Sequence, residues 1–423
     1  MLYWYIDFFS GIRSLTGKYI TKNSEEKTMV DFYQIKSPLS QITEGHINSF
    51  IESVSSALGE ELRSVSLEQY LSDDFALLYV ASGGSEGFFL EVFEQLKARP
   101  CYILTSGESN SLAASMEILS FLRKHGGNGE ILHGDISEIT GKIRALKLAH
   151  SAKAKLRGKR IGIIGTPSDW LIASSSSETA LMEKLGMGFV SIPMSELFDE
   201  IAKNEYIPNE QTELFLSKGY DRAEVEKALY VYGAVRRLVD KYELCGVTVR
   251  CFDLLDTVRT TGCLALAILN AEGICGGCEG DIPALVSMVV LRAVTGEPAF
   301  LCNPSRLYTK EGYGTFAHCT IPVTMLKEFC LNTHFESGIG VAVQGTFADG
   351  DCTVFKCEGD LSRYFVKEGH LTASPYSEML CRTQVRIYLD DFSYFLTEPI
   401  NNHHLVCLGK HAAAVDAFFN LLK

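Results

Sequence analysis

The sequence has a deficit of positive charge and no long apolar run. It contains 39 Lys and Arg against 52 Asp and Glu, a formal net charge of −13 at pH 7. Nucleic-acid-binding surfaces need clustered Lys and Arg, so this balance argues against a nucleic-acid partner. No stretch reaches the about 18–20 apolar residues of a membrane span. The aromatic opening, MLYWYIDFF, has neither the basic start nor the cleavage site of a signal peptide. We therefore expect a cytoplasmic protein without a membrane partner.

Cysteine is absent before Cys101, and the 13 cysteines that follow have no framework spacing. In a chain of this length such scatter is typical of reduced thiols in a cytosolic protein rather than of disulfides. Cys275 and Cys278 form a lone CxxC motif, with no second pair at zinc spacing and no thioredoxin context. We interpret these two thiols as small buried side chains.

Apolar runs followed by glycine turns recur along the chain. FALLYVA at 75–81, CYILTSG at 101–107 and IGIIGTP at 161–167 read as buried strands, and helix-like segments follow them. In 101–126, Ser109 or Asn110 is positioned to cap such a helix. Strands that alternate with helices predict parallel sheets covered on both faces.

The pattern changes after about residue 315. GIGVAVQGTFADGDCTVFKCEGD alternates apolar and polar residues around Gly-Asp turns, which predicts antiparallel strands. The predicted fold class is therefore α/β, with two Rossmann-like doubly wound domains followed by a C-terminal antiparallel β-barrel-like domain. The predicted divisions are an N-terminal extension 1–28, an α/β domain 29–157, a second α/β domain 158–314 and a β-rich domain 315–423.

The glycine turns do not have the spacing of a nucleotide-binding loop. SGGSEG and IGIIGTPSDW both depart from G-x-G-x-x-G, and neither has the GK[ST] ending of a phosphate loop. We expect no nucleotide cofactor.

Acids and histidines are the more informative residues. Glu279 and Asp281 lie in CGGCEGDIPALV, where a strand should end, and Asp253 follows the strand-like VTVRCF. Open α/β sheets bind ligands at those carboxyl ends. Taken singly, each acid is explained as a helix cap and each histidine as a core residue. Taken together with the histidines of the C-terminal region, they predict mixed O/N ligation of a hard divalent cation such as Mn²⁺. Those histidines are His318, His403 and His404.

From about residue 75 the chain resembles the L-fucose isomerase and L-arabinose isomerase family. The resemblance rests on PCYILTSGESNSLAASMEI, on GGCEGDIPALVSMVVLRAVTGEPAFLCNP, and on AHCTIP, ESGIGVAVQG and NHHLVCLG in the C-terminal region. It implies a metal-dependent aldose–ketose isomerase, in which a Mn²⁺-type cation binds adjacent sugar oxygens and carboxylates move a proton through an enediol. It also implies a homotrimer or homohexamer with a small-molecule sugar as its substrate.

The resemblance assigns roles to individual residues. Glu279 is expected to be both a metal ligand and the acid/base residue, with His403 or His404 as the imidazole ligand. Asp253 is a further candidate acid. His318 and Asp281 are expected to contact the substrate. Asp281, like Asp253, is also a candidate to replace the Asp ligand that fucose-type members have at the position of Asn303.

Asn303 departs from the pattern of the fucose-type members. In those members an Asp ligand occupies the segment that here reads FLCNPS. The resemblance thus implies that Asn303 faces the metal, where an Asn supplies a neutral oxygen and cannot act as a base. The departure leaves room for a substrate other than L-fucose, L-arabinose or D-arabinose, including a 6-deoxy-6-sulfo aldose (sulfoquinovose).

Trp170, one of only two tryptophans, directly follows a predicted strand and turn. It is a candidate stacking wall for a sugar ring, and core packing is the equal alternative. Two rival functions remain open: a non-catalytic sugar-binding or regulatory protein that keeps the fold, and a zinc-dependent hydrolase or aldolase.

Overall fold

The computed structural model describes residues 29–423, so the predicted extension 1–28 lies outside the described residues. The chain divides after Thr140 into two compact units, the second running from Gly141 to Lys423. The divisions predicted at 157/158 and 314/315 remain predictions.

The first unit contains a parallel sheet. Apolar strands such as β3, in which every residue is buried, alternate with helices that present one apolar face. The strand order is β2-β1-β3-β4-β5, and all pairings are parallel. The helix predicted after 101–107 follows Asn110, whose side chain makes no capping hydrogen bond. The elements are β1 (Met29–Ile35), α1 (Glu44–Leu58), β2 (Glu61–Ser64), α2 (Leu67–Ser72), β3 (Ala76–Val80), α3 (Glu86–Leu96), β4 (Cys101–Leu104), α4 (Ser111–Lys124) and β5 (Gly129–Leu132).

A second parallel sheet, of order β7-β6-β8-β9, belongs to the second unit. Its helices α11 and α12 are apolar almost all round and are buried along nearly their whole length. The elements are α5 (Ile136–Leu156, which begins before the division), β6 (Arg160–Ile164), α6 (Glu178–Leu185), β7 (Gly188–Ile192), α7 (Met194–Ile201), α8 (Glu210–Leu216), α9 (Arg222–Tyr242), β8 (Leu244–Val249), α10 (Asp253–Thr257), α11 (Cys263–Glu272), β9 (Cys275–Gly277) and α12 (Ile282–Thr295).

The predicted C-terminal barrel is confirmed as a closed antiparallel barrel of order β10-β11-β16-β15-β14-β17. Its first strand begins at Phe300, upstream of residue 315, because β10 pairs with both β11 and β17. Residues Cys352 and Val354 of β14 join the core inside it. The remaining elements are β10 (Phe300–Tyr308), β11 (Tyr313–His318), β12 (Glu328–Asn332), β13 (Ala342–Thr346), β14 (Gly350–Cys357), β15 (Tyr364–Ala373), β16 (Thr383–Tyr388), α13 (Ser393–Thr397), β17 (His404–Leu408) and α14 (Ala412–Leu421).

The turn between β9 and α12 is held tightly. Glu279 and Gly280 both have left-handed backbone conformations, with φ of 62° and 71°. The Glu279 carbonyl accepts a hydrogen bond from the Ser168 amide at 2.9 Å, and the Gly280 amide donates to the Val249 carbonyl at 3.0 Å. A left-handed conformation is costly for a non-glycine residue, so these bonds hold Glu279 in a strained position at the end of the sheet.

We predict that Gly280→Ala is strongly destabilising, because the new Cβ would lie 2.4 Å from the Thr166 carbonyl oxygen. Gly296→Ala is the matched control: Gly296 also has a positive φ, of 76°, but no atom lies within 4 Å of the added Cβ. The control should lose about 1–2 kcal/mol from backbone strain alone. Gly280→Ala should lose about 1–3 kcal/mol more from the clash. Denaturant unfolding of both variants measures the difference, and equal losses would contradict the tight approach.

Candidate metal centre

Glu279 lies in the turn between β9 and α12, at the carboxyl end of the second parallel sheet. Its Oε2 accepts a hydrogen bond from Nε1 of Trp170 at 2.6 Å. Its Oε1 lies 3.7 Å from Nε2 of His403. The indole therefore fixes one carboxylate oxygen and leaves the other directed toward the histidine.

His403 immediately precedes β17 and is completely buried. Its Nδ1 lies 2.8 Å from Oδ2 of Asp281, at hydrogen-bond distance. Its Nε2 has no hydrogen-bond partner within residues 29–423, because 3.7 Å from Glu279 exceeds hydrogen-bond length. A buried polar atom without a partner is costly. This arrangement favours a ligand between His403 and Glu279.

His318, at the end of β11, completes a group of three. Its ring centroid lies 5.5 Å from that of His403, and the Oγ1 of Thr320 lies 3.2 Å from its Nδ1, which leaves Nε2 for a ligand. One ligand atom from each of Glu279, His318 and His403 lies within 4.8 Å of the other two. Ligands held at about 2.1 Å from one ion lie about 3–4 Å apart. One carboxylate with two imidazoles thus fits a divalent cation of the Mn²⁺ or Zn²⁺ type.

Asp281 lies behind His403 and is completely buried. Its Oδ1 accepts the Ala284 amide at 2.8 Å and so caps the start of α12, while Oδ2 contacts His403. Lys356 of β14 is also fully buried, and its Nζ has no hydrogen-bond partner in the described part of the chain. Burial lowers the pKa of Lys356, and the opposite charge of Asp281 offsets part of that effect.

The charges around His403 shift the pKa values of the group. Burial would lower the pKa of His403, but its hydrogen bond to Asp281 and the Glu279 carboxylate raise that pKa to about 9. Burial would raise the pKa of Glu279, but His403 lowers it to about 2. Burial would also raise the pKa of Asp281, but the charge of Lys356 and the hydrogen bond to His403 lower it to about 2. Without an ion, His403 is therefore an imidazolium between two carboxylates.

The structure separates His403 from His404. The Nδ1 of His404 lies 3.0 Å from the Asn402 carbonyl, and its Nε2 lies 3.0 Å from the Tyr394 hydroxyl. Both ring nitrogens thus have partners, and burial lowers the pKa of His404 to about 3. Of the two candidate imidazole ligands, His403 is the one brought to Glu279.

The other candidate residues lie around the group. Trp170 is 52% exposed and packs edge-on against Phe252 at 4.8 Å. Asp253 forms an ion pair with Arg250 at 3.1 Å, outside the three-residue group. The Oδ1 of Asn303 accepts a hydrogen bond from Asn402 at 3.3 Å, next to His403 in the chain. Trp170 therefore lies beside the Glu279 carboxylate, whereas Asn303 contacts Asn402, the residue before His403.

Sequence reasoning missed Lys356, although the sequence contains a signal for it. In GDCTVFKC, Cys352, Val354 and Lys356 share one face of β14, since alternate residues of a strand point to the same side. A lysine that shares a strand face with two apolar residues indicates a buried charge that needs an opposite partner.

No protein-family model matches the chain. The sequence is 23% identical, over 260 residues, to sulfoquinovose isomerases of Priestia aryabhattai and Priestia megaterium (strain ATCC 12872 / QMB1551), covering 58% of this chain and 58% of each relative. It is 24% identical over 187 residues to a sulfoquinovose isomerase of Clostridium sp. (strain MSTE9), covering 42% of this chain and 41% of that protein. The chain thus spans little more than half of the length of the two Priestia relatives and less than half of the Clostridium protein. Within residues 29–423 no helix is both long and apolar enough to cross a membrane.

We predict that Mn²⁺ binding to the ion-free protein displaces the proton of His403. Its pKa is raised to about 9, so the imidazole is charged at pH 7 and must become neutral to coordinate a metal. Apparent affinity should therefore rise about tenfold per pH unit up to about pH 9 and then level off. Calorimetric titration in buffers of different ionisation enthalpy measures the released proton. An affinity independent of pH between 7 and 9 would contradict this protonation state.

We also predict that substitutions of the two adjacent histidines change different properties of the protein. His403→Ala should weaken Mn²⁺ binding strongly, because it removes a ligand, whereas His404→Ala should change binding little. His404→Ala should instead lower the melting temperature, since it removes the contacts to Tyr394 and Asn402. Calorimetry and thermal unfolding of both variants test the assignment. Equal, small effects on Mn²⁺ affinity would exclude both side chains as ligands.

Proposed function

We propose that this chain is a metal-dependent aldose–ketose isomerase that uses Mn²⁺ or a similar divalent cation. The main support is the group of Glu279, His318 and His403. In this group the buried Nε2 of His403 faces the Glu279 carboxylate and has no hydrogen-bond partner within residues 29–423. The names of the relatives, all sulfoquinovose isomerases, provide independent support for sugar isomerisation.

In this proposal Glu279, His318 and His403 hold the cation, which would act as a Lewis acid on neighbouring sugar oxygens. Glu279 accepts the C2 proton of the aldose and returns it at C1, while a proton passes from the C2 hydroxyl to the C1 oxygen, so that the sugar goes through an enediol to the 2-ketose. The Trp170 indole keeps the Glu279 carboxylate in place through its hydrogen bond. Its exposed ring provides an apolar surface for a sugar. Asp281 holds His403 in the orientation that directs Nε2 into the site.

We propose a 6-deoxy-6-sulfo hexose as the substrate. Glu279 is the only carboxylate in the three-residue group, so a divalent cation there leaves a net positive charge that favours an anionic sugar. Asn303, which is neutral, adds no negative charge to this region. L-fucose, L-arabinose and D-arabinose are the neutral comparison substrates. A homotrimer or homohexamer, which rests on the resemblance alone, and a cytoplasmic location, which rests on the cysteine usage, complete the proposal.

Glu279→Gln should abolish turnover while the protein stays folded, because Gln can neither take the proton nor balance the metal charge. We expect kcat to fall by about 10²–10⁴-fold, the usual contribution of a general acid–base residue. Glu297→Gln is the control, since Glu297 is exposed and lies two residues beyond the end of α12. The assay measures ketose formation from sulfoquinovose and from the neutral sugars, with Mn²⁺ present.

Asp253→Asn tests the rival acid in the same assay. Turnover of Glu279→Gln within a few-fold of the parent would remove Glu279 from catalysis, and a large loss in Asp253→Asn would move the proton transfer to Asp253. If the parent binds sulfoquinovose in calorimetry yet converts none of the sugars, the chain is a sugar-binding protein rather than an isomerase.

A further inference from the structure

A second cluster of metal-binding side chains lies outside the carboxylate–histidine group. Cys263 is the first residue of α11, Cys319 directly follows β11, and His334 follows β12. All three are buried, and one ligand atom from each lies within 4.8 Å of the other two. The Sγ atoms of Cys263 and Cys319 are 3.2 Å apart. Three segments that are distant in sequence thus bring two thiols and an imidazole together.

Cys381, just before β16, provides a third thiol beside this cluster. Cys381 is not among the three residues whose ligand atoms all lie within 4.8 Å of one another, so its thiol would have to approach the other two to become a fourth ligand. A site of three cysteines and one histidine is a common tetrahedral arrangement for zinc.

His334 has polar neighbours at both ring nitrogens. Its Nδ1 lies 3.0 Å from the Ser337 hydroxyl and accepts the Ser337 backbone amide at 3.4 Å, so the neutral ring has its proton on Nε2. For Nε2 to bind a cation the proton has to move to Nδ1, where the Ser337 hydroxyl can accept it. The Glu336 carboxylate lies 3.4 Å from Nε2, and its side chain is 51% exposed. Glu336 is thus free to turn toward solvent when Nε2 takes another partner.

We propose that Cys263, Cys319, Cys381 and His334 bind a thiophilic divalent cation of the Zn²⁺ class. Thiolates at about 2.3 Å from a tetrahedral zinc lie about 3.8 Å apart, so the observed 3.2 Å requires only a small separation of the two sulfurs. The thiols release their protons to solvent when the ion binds. Sulfur-rich ligation distinguishes this soft-metal site from the O/N group of Glu279, which suits harder cations.

The bound ion would crosslink four segments next to the candidate metal centre, because Cys319 directly follows His318. We therefore expect it to stabilise the folded chain in proportion to its concentration over its dissociation constant. This inference does not depend on the reaction that the protein catalyses.

Cd²⁺ is the probe, because cadmium thiolates absorb in the ultraviolet through charge transfer. The full chain is kept reduced with a phosphine, and the count of 13 thiols is checked after denaturation. We expect a charge-transfer band that saturates at one Cd²⁺ per chain and a rise in melting temperature. Cys263→Ser and Cys319→Ser should each lose more than about 100-fold in affinity, since even the outer partners of a metal ligand contribute about 10–100-fold.

Three control variants separate the alternatives. Cys251→Ser removes a thiol that lies 3.0 Å from the thiol of Cys278. These two thiols are as close as those of Cys263 and Cys319, but within the described residues they belong to no group of three possible metal ligands. Glu279→Gln disables the O/N group, and Cys330→Ser removes an exposed thiol. All three should keep the band.

His334→Gln provides a test that does not depend on the folding of the cysteine variants. It should keep part of the thiolate band and lose affinity for Cd²⁺. The proposal is overturned if the reduced parent shows no band, or if Cys263→Ser and Cys319→Ser both retain it. It is also overturned if Cys251→Ser or Glu279→Gln abolishes it, or if His334→Gln binds Cd²⁺ as tightly as the parent.

Discussion

The hydrogen bond between His403 and Asp281 is the interaction on which the candidate centre depends. Both side chains are completely buried, so neither can exchange its partner for water. The same Asp281 starts α12 through Ala284, and its charge is balanced by Lys356 inside the barrel. The Asp281 carboxylate thus caps α12, interacts with the charge of Lys356 in β14 and orients the His403 imidazole. Removing the Asp281 carboxylate would take away the opposite charge that stabilises the buried Lys356, which is strongly destabilising.

The positions of the charged side chains relative to solvent explain why the centre can be both stable and reactive. Lys356 and Asp281 are completely buried charges remote from solvent, whereas Glu279 and His403 face each other across a gap that is too long for a hydrogen bond. The two inner charges attract each other without a hydrogen bond, because Nζ of Lys356 has no hydrogen-bond partner within residues 29–423. The outer pair is left to exchange a proton for a cation. Trp170 limits the freedom of Glu279 without neutralising its charge.

Much of the architecture could be predicted from the sequence, whereas the assembly of the centre only partly could. Apolar runs before glycine turns predicted strands such as β3, and alternation around Gly-Asp turns predicted the barrel. The separation of His403 from His404 was beyond sequence reasoning, because adjacent strand residues point to opposite faces and the pairing of Cys302 with His404 decides which face is which. The place of Lys356 behind Asp281 was equally inaccessible, since it depends on contacts between distant segments.

The closure of the barrel by β17 has a consequence for how the chain folds. Asp281 and His403 are 122 residues apart in sequence, and β17 inserts between β10 and β14. Contacts of such long range form slowly, because loop-closure entropy must be overcome first. Until β17 inserts, β10 and β14 each present an unpaired edge that can template aggregation. Cation capture by His403 would therefore favour the closed barrel over any form in which these two edges are exposed.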